Sequence, residues 1–211
     1  LYALRYMGGG SVKQHISIGN QGFDSIREEN SFYIDKTYFI KEWWESRSCV
    51  TLVTRPRRFG KTLNMSMLNC FFSMKYAGRS DLFDGLSVWQ DEKYRGLQGT
   101  YPTIFVSFAE VKQSNCADAI RQIKKVIAEA YQPYEFLGKS DKLSELHRAQ
   151  FRKVSPEMDD VTAQNALKDL SNYLSIYYGC KTVILLDEYD TPMQEAYVQG
   201  YWKEFTSFVR S

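Results

Sequence analysis

The sequence predicts an α/β domain in which helices flank a parallel sheet, and three observations predict it. First, three strand-length apolar runs, at residues 49–54, 103–108 and 182–186, are rich in β-branched or aromatic residues. Second, segments with apolar residues at helical spacing lie between them, and strand-helix-strand alternation is the signature of parallel strands. Third, the first run leads through Gly60-Lys61-Thr62 straight into a helical pattern, while the third ends on Asp187-Glu188. Both polar groups therefore fall at the carboxyl ends of strands, where open α/β sheets bind ligands.

The elements follow in order. Gly8-Gly9-Gly10-Ser11 has the composition of a flexible linker, so residues 1–11 are set outside the fold and one domain is expected over residues 12–211. An amphipathic helix is expected from about Tyr38 to Glu45, then the first strand. Leu63, Met67 and Phe71, with Leu68 and Phe72, mark the helix that follows. After the second strand, Ile120, Ile123, Ile127 and Ala130 form one helical stripe. Ala163, Ala166, Leu167, Leu170, Leu174 and Tyr177 form another, and the more polar segment 141–154 is expected to be helical between them. Val183-Ile184-Leu185-Leu186 is apolar at consecutive positions, which predicts a strand covered on both faces. The pattern over residues 202–210 is helical and lacks a Gly or Pro terminator, so the chain reads as a fragment.

Composition excludes other classes. A chain of 211 residues hides roughly 70% of its unfolded surface on folding, enough for one core. With 44% hydrophobic and 25% charged residues it is neither disordered nor low-complexity. A formal net charge of +2 does not describe a polyanion-coating protein, no groove-reading motif occurs, and Arg121, Lys124 and Lys125 read as a solvated helix face. No stretch approaches the ~18 apolar residues of a membrane span, and no secretory signal opens the chain, so the expected location is cytoplasmic. Cys49, Cys70, Cys116 and Cys180 are widely spaced and only His15 and His147 exist, which argues against zinc or redox chemistry and for small buried side chains.

Chemistry concentrates in two places. In Arg55-Pro56-Arg57-Arg58-Phe59-Gly60-Lys61-Thr62, a strand, a loop and a helix meet as a phosphate-binding loop requires. Helix first turns present unpaired N–H groups and the positive end of the macrodipole, so an anion there is held by backbone donors. Gly60 would let the backbone curl around a β-phosphate, Lys61 would reach the β- and γ-oxygens, and the Thr62 hydroxyl would ligate Mg2+. A bare Gly-Lys-[Ser/Thr] triplet turns up by chance about 0.1 times in a chain this long, and the full G-x-x-x-x-G-K-[ST] pattern fails because Arg55 holds the first glycine's place. The residue before a proline is extended in any case, so Arg55 prolongs the strand. Asp187-Glu188 supplies the complement: Asp187 to orient Mg2+ and Glu188 to polarise the attacking water. Arg57 and Arg58 either pair with phosphate, on this chain or a neighbouring subunit, or anchor the loop to an acid such as Asp190. Tyr189 reads as a packing residue and Asp190 as a helix cap, the alternative being that they position the γ-phosphate end.

Taken together, Ile18-Gly19-Asn20-Gln21-Gly22-Phe23, Phe32-Tyr33-Ile34-Asp35-Lys36-Thr37, the loop at residues 55–62 and Leu185-Leu186-Asp187-Glu188-Tyr189-Asp190-Thr191-Pro192-Met193 resemble the predicted AAA-ATPase-like family of bacteria, from about residue 16 onward. That family's loop commonly reads R-P-R-R-F-G-K-[ST], which makes Arg55 a family trait. The resemblance implies a P-loop NTPase-like sheet, ATP as nucleotide with Mg2+, and Arg57, Arg58, Phe59, Gly60, Lys61 and Thr62 around the phosphates. Lys61 and Glu188 would serve catalysis, and Thr62 and Asp187 the metal. It also implies a sensor strand between the phosphate-loop strand and the acid-bearing strand, and often a PD-(D/E)XK nuclease-like module; neither is in this sequence, so an incomplete AAA-type core is expected, its gap filled by a partner chain in a homo-oligomer or avoided by another strand order. Residues 35–37 read as a turn opening the next helix, capped by Asp35 or Thr37, or by analogy as a segment near the adenine. Three functions follow: an ATPase, an ATP-dependent switch or scaffold with little hydrolysis, or a small-molecule kinase, the last requiring the first and third strands to be neighbours.

Overall fold

A computed structural model describes residues 15–54 and 59–210. The linker reading at residues 1–11 and the loop residues 55–58 lie outside the described residues. In chain order the α-helices and strands are α1 (Phe23–Glu28), α2 (Tyr38–Ser46), α3 (Lys61–Phe72), α4 (Glu92–Arg95), β1 (Thr103–Ser107), α5 (Cys116–Tyr131), α6 (Glu145–Phe151), α7 (Asp160–Tyr178), β2 (Val183–Asp187), α8 (Thr191–Val198) and α9 (Trp202–Arg210). Short 3-10 turns fill much of the chain between α3 and α4.

β1 and β2 pair in parallel, with Thr103 opposite Val183 and Ser107 opposite Asp187. Because side chains alternate across a strand, β1 serves two cores, while β2 serves one. Ile104 and Val106 enter an apolar cluster with Ala119, Ile123 and Ile127 of α5, Ala163, Ala166 and Leu170 of α7, and Phe205 of α9. Leu185, with Phe105 and Val183, enters the opposite cluster, where α3 contributes Met67, Leu68, Phe71 and Phe72. Aromatic packing dominates that second cluster: Trp43 and Trp44 of α2 lie 5.1 and 5.6 Å from the Phe72 ring. Removing one such fully buried Phe would cost about 3–5 kcal/mol. The sheet is thus sandwiched between helices, which fixes the start of α3 against the end of β2.

Two sequence expectations fail here. Residues 49–54 form no strand: Val50 and Leu52 are 87% and 61% exposed, and no backbone partner lies alongside them among the described residues. β-Propensity reports fitness for a pleated, half-buried surface, and without a neighbouring strand the ladder that would reward it is missing. The expectation that the third run is covered on both faces fails for the same reason. Leu185 is buried, but Ile184 and Leu186 remain 41% and 38% exposed beside an edge with no further strand among the described residues. The polar segment at 141–154 is helical only over α6, which Ser144 initiates by accepting a hydrogen bond from the His147 amide (3.2 Å). Cys70 and Cys116 are buried as expected, whereas Cys49 is exposed. Among the described residues, no helix is long and apolar enough to cross a membrane.

Candidate phosphate-binding site

The start of α3 is left open by its own sequence. Gly60 adopts φ +74°, a left-handed conformation that glycine enters without a steric penalty, and its carbonyl accepts the first helical bond from the Asn64 amide at 2.9 Å. Gly60 has no side chain to cap this end, and no acid stands in the first turn. The amides of Lys61, Thr62 and Leu63 precede the first intrahelical donor, so they face outward at the positive end of the helix dipole.

β2 delivers the opposing acid. Asp187 is its last residue and only 5% exposed. Burial pushes the Asp187 carboxyl above the range of a free aspartate, and the neighbouring Glu188 charge adds to this. A hydrogen bond from the Thr62 side chain, the Glu188 amide and the Lys61 charge work against it. The start of α3 and the end of β2 therefore meet through Thr62 and Asp187, with Lys61 within electrostatic reach. Glu188 follows with φ +50°, an uncommon conformation for a residue with a side chain and one that tends to persist where the surroundings enforce it. Its carboxylate accepts a hydrogen bond from the Thr191 hydroxyl at 3.2 Å, and its carbonyl accepts from the Thr191 amide at 3.0 Å.

Of the residues singled out in the sequence, Gly60, Lys61, Thr62, Asp187 and Glu188 are thus gathered at one end of the sheet. Phe59 is 59% exposed, and Arg57 and Arg58 lie outside the described residues. Asp190 occupies the position before α8 but makes no capping bond; its carboxylate instead accepts from the Gln194 side chain at 2.7 Å. Arg121, Lys124 and Lys125 are spent on Asp118, Asp160 and Glu129, in keeping with a solvated helix face. From the Asp35-Lys36-Thr37 segment, to which the sequence assigned no site role of its own, one residue comes to the loop: the Lys36 ammonium lies 3.6 Å from where a β-carbon on Gly60 would stand. Nothing in sequence spacing links it to Gly60, since the contact is made by folding alone.

A family model described as Predicted AAA-ATPase matches residues 17–211. The chain belongs to this family. Membership agrees with the mixed helix-and-strand architecture and fits the use of ATP. Among curated proteins, an "uncharacterized protein in vnfD 5'region" of Azotobacter chroococcum mcd 1 is 40% identical over 77 residues, covering 36% of this chain and 14% of that protein. No solved structure matches the chain.

Proposed function

We propose that this AAA-ATPase-like domain binds Mg2+-ATP at the mouth of α3 and hydrolyses it. The packing of α3 against β2, which brings Thr62 to Asp187, is the observation that carries the reading, because it joins two segments that lie far apart in sequence. The open amides after Gly60 would hold the β-phosphate and the Lys61 ammonium would bridge to the γ-phosphate. Thr62 and Asp187 offer hard oxygen donors of the kind Mg2+ takes, and a buried carboxylate beside a second acid gains from a cation. When bound, Mg2+ would neutralise charge on the β- and γ-oxygens. Glu188 would accept a proton from a water whose oxygen attacks the γ-phosphorus; the bond to the bridging oxygen breaks, and ADP and phosphate leave.

The Glu188-Thr191 hydrogen bond favours a second reading, a nucleotide-dependent switch with little turnover, since that carboxylate is already engaged. The kinase reading needs residues 49–54 as a strand beside β2, and the strand that pairs with β2 is β1. One set of measurements separates the first two. Labelled ATP is titrated with and without Mg2+ against the wild type and Lys61→Ala, and phosphate release is followed in the wild type and Glu188→Gln. The ATPase reading expects Lys61→Ala to bind at least about 100-fold more weakly, roughly 2.7 kcal/mol. It expects Glu188→Gln to bind normally and release phosphate at least about 100 times more slowly. Unchanged turnover in Glu188→Gln overturns the role of that residue, and absence of binding in the wild type overturns the site.

A further inference from the structure

We propose that Lys36 is a second cation for the phosphate tail, carried to the loop from outside it by the Asp35-Lys36-Thr37 turn. The proposal rests on the nucleotide-site reading above and adds a residue to it. Its geometric basis is the approach of the Lys36 ammonium to Gly60, 3.6 Å from the site of the missing β-carbon. Gly60 is the residue after which the open amides begin, so the ammonium stands at the same mouth as Lys61.

The turn holds that lysine in place with unusual thoroughness. One Asp35 oxygen accepts from the Thr37 amide at 2.8 Å and the Thr37 hydroxyl at 2.7 Å, and the other accepts from the Ser87 amide at 2.7 Å. The fully buried Thr37 hydroxyl in turn accepts from the Val88 amide at 3.1 Å and shares a hydrogen bond with the Ser87 hydroxyl at 3.0 Å. On the other side, the Lys36 amide donates to the Tyr33 hydroxyl at 3.4 Å, and that hydroxyl lies 3.3 Å from the Met67 sulfur on α3. Both neighbours of Lys36 are thus spent on fixing its backbone, and the fixing points include the helix that the loop opens. Backbone fixation of this kind lowers the ordering cost of whatever the free end of the side chain binds.

Among the described residues the ammonium has no anionic partner. Other lysines find acids: Lys41 pairs with Asp91, Lys93 with Glu45 and Lys124 with Asp160. Lys36 makes no ion pair among the described residues. The Lys36 side chain is partly buried and its ammonium stands beside the positive end of the α3 dipole, where an anion is favoured. A triphosphate carries enough negative charge to meet both Lys36 and the residue that follows Gly60, Lys61, and the multiply charged tail, not the base, is what ammonium groups recognise.

The test compares wild type, Lys36→Ala, Lys36→Arg and Lys61→Ala. Each chain is titrated with labelled ATP at low and high salt, then with unlabelled tripolyphosphate as competitor, and each is melted without ligand. Lys36→Ala is expected to weaken ATP and tripolyphosphate by a similar factor, about tenfold at low salt and less at high salt, with an unchanged melting midpoint. Lys36→Arg is expected to recover most of the loss. Unchanged ATP affinity in Lys36→Ala, while Lys61→Ala loses binding, overturns the role of Lys36 and leaves the site standing. Loss of ATP affinity without loss of tripolyphosphate competition overturns it in favour of a contact to the base or sugar. A loss matched by a lower midpoint and not recovered by arginine reduces Lys36 to packing. Failure of the wild type to bind either ligand removes both the site and this proposal.

Discussion

The starts of α3 and α5 are built from the same backbone and treated in opposite ways. At α5 the Asn115 side chain accepts from the Asp118 amide at 2.9 Å and donates to the Asp118 carboxylate at 2.8 Å, and Arg121 closes the group on that carboxylate at 2.8 Å. The Asp118 amide is satisfied and the dipole is met by an acid from the helix itself. At α3 a left-handed glycine replaces the cap and the first turn holds a lysine and a threonine, with no acid. A helix end capped by glycine in place of Asn, Ser or Asp forgoes roughly a few tenths of a kcal/mol. The chain demonstrably knows how to cap, so the bare end is a property of that position, and the acid facing it comes from another element, Asp187 of β2, through Thr62.

The most direct way to break the contrast is to give α3 an acid of its own. Aspartate tolerates left-handed conformations better than most residues, so Gly60→Asp should fold, with a cost of about 1 kcal/mol. Its carboxylate would occupy the mouth that the proposed phosphate needs and would pair with Lys36 or Lys61. ATP binding should fall at least about 100-fold, equivalent to about 2.7 kcal/mol, while Gly60→Asn, which keeps the conformation and adds no charge, should lose much less. Equal losses in both variants would show that shape, not charge, governs the site.

A second prediction uses the acid on the other side. Burial holds the Asp187 carboxyl above its usual pKa of 3.8, so the fold favours its protonated form. A raised carboxyl contributes its stability at low pH and loses it as pH rises through the folded value. Asp187→Asn keeps an acceptor for Thr62 and removes the charge, so it should melt higher than the wild type near pH 7, with the difference vanishing as pH falls to about 4. Melting both chains across that range without nucleotide measures the effect. Under the proposed function the same variant should lose its Mg2+-dependent gain in ATP affinity, a case of stability forgone for a site.

How much of this was legible depends on whether the signal was local. The stripes of α3, α5 and α7 declared themselves because a helix satisfies its own backbone and needs only one apolar face to dock. Gly60-Lys61-Thr62 and Asp187-Glu188 were legible because each carries its chemistry in adjacent residues. Residues 49–54 have the composition of a strand, yet composition cannot supply the neighbour whose backbone completes the ladder, and Val50 and Leu52 stand exposed as a result. Ile184 and Leu186 follow the same logic on the open side of β2. The approach of Lys36 to Gly60 was only faintly legible: the family resemblance placed residues 35–37 near the nucleotide as one alternative, but the residues themselves read as ordinary helix initiation, and only folding reveals that the Lys36 amide is tied through Tyr33 to the helix beginning at the loop.

The smallest effect belongs to the capped end and serves as the control for the open one. In Asn115→Ala the Asp118 amide loses its acceptor and the Asp118 carboxylate loses one donor, while Arg121 remains. An exposed cap of this kind is worth about 1 kcal/mol, which in a domain of this size lowers Tm by about 2–4 °C. Asn115→Ser restores an acceptor of suitable reach and should recover most of that loss. Neither change touches the mouth of α3, so ATP affinity should be the same in all three chains. A fall in affinity with Asn115→Ala would mean that the α5 end is coupled to nucleotide binding through β1, and the division between a helix end that stabilises and one that binds would no longer hold.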